Sequence, residues 1–134
     1  MYCLLMPGCN DINKPGIIIK DAHLYLPLKG AEMAAGYLKL ENNQTKKIVI
    51  SSIECRKVKA SLHETIVDSE GVMKMKKLEM FVVDPGAHVN FMPGGKHVMF
   101  SGLKEFKESV LMCTFSSNTG VEFPFSLEVL TNEQ

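Results

Sequence analysis

Residues 58–67 read VKASLHETIV, and in this stretch Val58, Ala60, Leu62 and Ile66 alternate with Lys59, Ser61, His63 and Thr65. A period of two belongs to a strand with one face on a core and the other toward water, which puts His63 on the more polar face. Similar segments lie on both sides. IIIKDAHLYLP, AAGYLKLEN and KKIVISSIEC precede it, with ENNQTKK as a polar hairpin turn between the last two. After it, Asp68, Ser69, Glu70 and Gly71 turn the chain into VMKMKKLEMFVV, where Met73 and Met75 share a face. Asp84, Pro85 and Gly86 break the chain, AHVNF resumes it, and Pro93, Gly94 and Gly95 turn it into KHVMFSGL. There His97 and Met99 lie on one face, and Val98 and Phe100 on the core face. ESVLMCTFSS and VEFPFSLEVL close the sequence around an NTG turn, and Pro124 limits pairing in a central ladder. From Gly16 onward no apolar period of 3.6 is sustained. The expectation is an all-β domain of roughly seven or eight strands, a sandwich or Greek-key barrel.

The chain has 134 residues, enough for one domain with a real core. Its 15 basic and 15 acidic residues balance, with no long block of like charge, so no nucleic-acid footprint is present. No apolar run approaches the roughly 20 residues of a membrane-spanning helix, so no membrane span is expected. Residues 1–16, beginning MYCLLMPGCN, are expected to be a flexible leader or the remnant of a secretory signal, and residues 17–134 the folded domain. Leu4 to Cys9 weakly resembles the end of a lipoprotein signal, which makes Cys9 a candidate lipid anchor, although Met6 and Pro7 depart from that pattern. Cys3, Cys9, Cys55 and Cys113 contain no C-x-x-C pair, which argues against a zinc ribbon or a thioredoxin-like site. Cys55 and Cys113 are either a bridge or two buried thiols.

His97-x-Met99 alone is a weak signal, since Met commonly fills gaps in a core. The wider arrangement says more: eleven residues separate His63 from Met75, twenty-one separate Met75 from His97, and one separates His97 from Met99. This spacing resembles that of the periplasmic copper chaperone family PCu(A)C, whose pattern is His-Met, ten residues, Met, twenty-one residues, His, any residue, Met. AAGYLKLEN, SLHE, GVMKM and PGGKHVMFSGLK are also similar to stretches of that family, over about Ile17 to Leu130. The resemblance implies a cupredoxin-like β-barrel with His63, Met75, His97 and Met99 as copper(I) ligands. Uncharged thioether sulfur favours monovalent copper over magnesium, calcium or manganese, while imidazole serves several metals, so the methionines carry the selectivity. The resemblance also implies a periplasmic location and a transient partner, either a copper-dependent respiratory oxidase subunit or another copper chaperone, loaded by ligand exchange. Glu64 stands where the pattern has methionine. The His- and Met-rich C-terminal extension of some relatives is missing from a sequence ending TNEQ, which argues against a second, copper(II) site.

Glu64 is expected to be solvated or to orient His63. Met73 reads as a packing neighbour of Met75, Met92 as a cap on the barrel end, and His23 and His88 as ordinary strand or loop histidines. Lys74, Lys76 and Lys77 read as a solvated face able to steer an acidic partner. With no Ser/His/Asp order, phosphate loop or acid/base carboxylate pair, the chain does not read as an enzyme. Two other readings remain open: copper storage or resistance, and a β-sandwich interaction module whose methionines only pack.

Overall fold

The computed structural model describes residues 16–26 and 32–131, so residues 1–15 of the leader, with Cys3 and Cys9, lie outside the described residues. Ten strands follow one another: β1 (Ile17–Leu26), β2 (Met33–Asn42), β3 (Ile48–Cys55), β4 (Lys59–Val67), β5 (Met73–Lys77), β6 (Phe81–Val83), β7 (His88–Phe91), β8 (Lys96–Ser101), β9 (Val110–Ser117) and β10 (Glu122–Thr131). The fold is all-β, as the alternation requires, but with ten strands among the described residues instead of seven or eight. One cause is the segment 72–83, which reads as one extended stretch yet divides into β5 and β6.

That division closes the fold. The strands form one sheet in the order β5-β4-β8-β2-β1-β10-β9-β3-β6, with β7 beside β2, so β5 and β6 are its opposite edges. Only Leu78, Glu79 and Met80 join them. Four Cα–Cα steps span at most about 15 Å, so the sheet has to curl until its edges are neighbours. The Leu78 N–H donates to the Leu62 carbonyl at 2.8 Å and pins the crossing against β4. β1 and β10 pair in parallel, while the other pairs are antiparallel. Pro124 lies in the half of β10 that β1 does not reach, since that pairing begins at Glu128. A residue without an N–H is tolerated there.

The concave face holds the core, in which Leu24, Leu38, Leu40, Ile50, Val98, Phe100, Leu111, Phe115 and Leu127 are fully buried. Phe81, Phe91, Phe115 and Phe125 form a connected aromatic cluster with ring centroids 4.8–6.4 Å apart. Phe100 fits because residue 36 is glycine, where a Cβ would stand 2.5 Å from its Cε2. Asn42, within the polar stretch read as a turn, is fully buried. Its Nδ2 donates to the carbonyls of Lys46 and Val83, both at 2.9 Å, and its Oδ1 accepts from the Gln44 N–H at 2.9 Å. A buried amide with these partners joins β2, the following turn and the end of β6. Cys55 and Cys113 face each other on β3 and β9 and form a disulfide.

Candidate metal centre

Val98 and Phe100 anchor β8 in the core, so the pleat turns His97 and Met99 to the outer face. β8 lies between β2 and β4. His97 is directly opposite His63 of β4, and Met99 is opposite both Ser61 of β4 and Ala35 of β2. β5 runs along the other side of β4, with Met75 opposite Thr65 and Lys77 opposite His63. Ser61, His63 and Thr65 alternate along one face, so His63, Met75, His97 and Met99 project from that same outer face of three adjacent strands. The fold thus gathers residues dispersed over 63–99.

The two imidazoles stack, with centroids 5.9 Å apart and planes 17° from parallel. His97 is only 4% exposed. Its Nδ1 donates to the Gly95 carbonyl at 3.0 Å, and since a carbonyl can only accept, the lone pair of the neutral ring sits on Nε2. His63 Nε2 lies 2.9 Å from Ser61 Oγ, and when the hydroxyl accepts this proton the lone pair sits on Nδ1. His63 Nδ1 and His97 Nε2 are both buried without a hydrogen-bond partner. Such groups are rare, because a buried polar atom with no partner costs about 1–3 kcal/mol. Burial, then the neighbouring His97, then Lys77 push the His63 pKa below its ordinary value, which favours the neutral ring, the form a metal could bind.

Among the described residues no three of His, Cys, Asp and Glu gather as a metal site. The donors beside the orphaned nitrogens are thioethers, half-buried Met99 and 58%-exposed Met75. The β4–β5 turn sets the register of Met75. Asp68 Oδ1 accepts from the N–H groups of Glu70 and Val72 at 2.8 and 2.9 Å, and Gly71 takes φ +82°. These backbone bonds, Val72 first, hold the Asp68 carboxyl below its usual pKa.

Glu64 and Met73 sort differently from their sequence reading, while the lysines of β5 are exposed and His23 and His88 lie on strands, as read. Glu64 projects from the opposite face and pairs with Lys96 at 3.3 Å, so it neither orients His63 nor stands free in water. Met73 is 65% exposed opposite Val67, farther along β5 from His63, and is not a packing residue. Lys74 pairs with Asp68 at 3.3 Å, while Lys77 faces His63. His88 is exposed on β7. His23 and Met92, distant in sequence, line one groove, a proximity that strand pairing alone creates.

The family model described as "Putative lipoprotein LpqE-like" matches residues 17–128, nearly all of the folded chain. The chain belongs to the LpqE-like family. No curated protein sequence matches it significantly. Among solved structures it is similar to the apo PCuAC domain from PmoF1, at TM-score 0.70 and 18% identity over 87% of this chain and 95% of that one. The copper-bound PCuAC domain from PmoF2 gives 0.69 and 17% over 87% and 94%, and apo-DR1885 from Deinococcus radiodurans gives 0.64 and 18% over 90% and 82%. At such identities the likeness is one of fold, and the fold of this LpqE-like chain is PCuAC-like.

Proposed function

We propose that this LpqE-like domain binds copper(I) through His63, Met75, His97 and Met99 and delivers it by ligand exchange. The observation carrying this reading is the pair of buried, unpartnered nitrogens, His63 Nδ1 and His97 Nε2, on stacked rings beside two thioethers on the same face. A metal ion would complete both nitrogens, and the thioethers select a soft one. The copper-bound state of the similar PmoF2 domain supports the reading.

All four donors are neutral, so the bound ion keeps its charge and its attraction for an incoming donor. A recipient's thiolate, thioether or imidazole enters as Met75 leaves, and the ion passes across without release to water. The recipient we favour is a copper-dependent respiratory oxidase subunit, or else another copper chaperone, outside the cytoplasmic membrane. The lipoprotein description of the family and the Cys55–Cys113 disulfide both support an oxidising, extracytoplasmic location. No helix among the described residues is long and apolar enough to cross a membrane. Copper storage would use the same ligands without the oxidase, and loss of oxidase activity in copper-limited cells lacking the protein distinguishes delivery from storage.

Competition titration with a copper(I) chelator tests the site directly. Met75→Leu and Met99→Leu should each fold normally and bind copper(I) far more weakly than the parent protein. Unchanged affinity in both would overturn the assignment.

A further inference from the structure

The outer face continues beyond the two imidazoles. Tyr37 follows Gly36, the partner of Val98, and so stands level with His97; Tyr37 is also directly opposite His23 of β1. One row across four strands therefore reads His63, His97, Tyr37, His23. The ring centroids of His23 and Tyr37 lie 5.9 Å apart, as do those of His63 and His97. This second histidine is also fixed in orientation. Its Nδ1 lies 2.9 Å from the Asp21 carbonyl, which can only accept, so the lone pair of the neutral ring is on Nε2. The carbonyl reaches the ring because β1 bulges there: the register against β2 shifts between Lys20 and His23, and Asp21 adopts φ +57°. On its other side, Tyr25 meets the imidazole edge-on at 5.9 Å.

Met92 lines the same groove, of about 260 Å³, with His23, Tyr25, Tyr37 and Pro93. Its backbone is held by the turn before β8, where its N–H donates to the Lys96 carbonyl at 3.0 Å and its carbonyl accepts from Gly95 at 2.9 Å. The side chain is 50% exposed, and a thioether on three rotatable bonds adapts readily. A rigid imidazole and an adaptable thioether in a groove flanked by Tyr25, Tyr37 and Phe91 repeat, with half the donors, the chemistry of the first site.

We propose that His23 Nε2 and Met92 Sδ form a second soft-metal position, for copper(I) or silver(I), flanking the first across the Tyr37 ring. A neutral imidazole and a soft thioether suffice for a d¹⁰ monovalent ion, which accepts linear coordination, and the thioether favours such an ion over magnesium or calcium. Two carboxylates stand near this position: Asp21, 3.7 Å from Lys39 Nζ, and Glu128 of β10, directly opposite His23. Metal binding at this position is independent of the first site; its use as a staging point for copper entering or leaving rests on the copper reading of His63 and His97.

Silver(I) titrated alone into the folded domain, followed by metal stoichiometry and by imidazole ¹H–¹⁵N correlation, tests the proposal. The parent protein should take up a second, weaker equivalent whose binding moves the His23 resonances. His23→Gln and Met92→Leu should each lose that equivalent and keep the first. Met75→Leu with Met99→Leu should lose the first while the His23 shift persists. Unmoved His23 resonances with both equivalents present, or a second equivalent surviving in Met92→Leu, would overturn the proposal. Met92→Leu conserves volume and so decides the matter even if His23→Gln disturbs the fold. Retention of the first equivalent in the Met75/Met99 double variant would instead count against the copper(I) ligand assignment.

Discussion

β8 and β5 each supply thioether to the outer face, and they are built differently. Every second residue of β8 is locked in the core, and the strand is paired on both sides, so His97 and Met99 stand on a fixed support. All five residues of β5 are exposed, and the strand forms an edge of the sheet, tied to β4 by its ladder and by the Asp68 turn. A site for handing over an ion needs both kinds of support. On the ligand set proposed above, donors on β8 and β4 would preserve the geometry, while Met75 on β5 would swing away with little else to disturb.

That contrast breaks most clearly in the core behind β8. Phe100→Ala should cost about 3–5 kcal/mol, read by denaturant unfolding, and should disorder the His97 side of the site. Met75→Leu should change stability by less than about 0.5 kcal/mol. If the two substitutions cost the same, the division into a fixed and a movable half is wrong. Next in size is Gly36→Ala. Its Cβ would collide with Phe100, and overpacking of this kind costs about 1–3 kcal/mol. A stability change near zero would show that Phe100 has room to retreat.

The smallest effect is electrostatic. The folded pKa of His63 lies below its unfolded value of about 6.5. As pH falls through that value the unfolded chain takes up a proton that the folded chain refuses, so apo-protein stability should decline with acidification until the folded ring also titrates. The thermal midpoint of the apo-protein between pH 7.5 and 5 checks the direction. Lys77→Gln removes one of the charges disfavouring the imidazolium, so His63 should titrate at higher pH by NMR. An unmoved titration would mean that the edge strand exerts no field on the fixed half.

Much of this was legible in the sequence because strand alternation is local. VKASLHETIV put His63 on the more polar face and KHVMFSGL put His97 and Met99 opposite the core face of Val98 and Phe100, and the structure keeps all three on the outer face. The break at Leu78–Met80 was not legible. No glycine or proline marks it, and it arises because a ten-stranded sheet must bring its edges together. Met73 and Met75 were equivalent by alternation; the spacing singled out Met75, and the register against β4 places it nearer His63 than Met73. The proximity of His23 and Met92 was equally hidden, since it depends on β1 and β7 both pairing with β2. Burial of Asn42 was masked by its polar neighbours, which look like any solvated turn.

The Cys55–Cys113 bridge, between residues 58 apart in sequence, also bears on competition for the metal. A thiolate is a stronger ligand for copper(I) than any thioether, and a free cysteine on this small surface would draw the ion into a trap. Among the described residues no cysteine is free. By tying up both sulfurs, the bridge would, on the copper reading proposed above, leave the weaker, exchangeable donors in control of where the ion rests and how readily it departs.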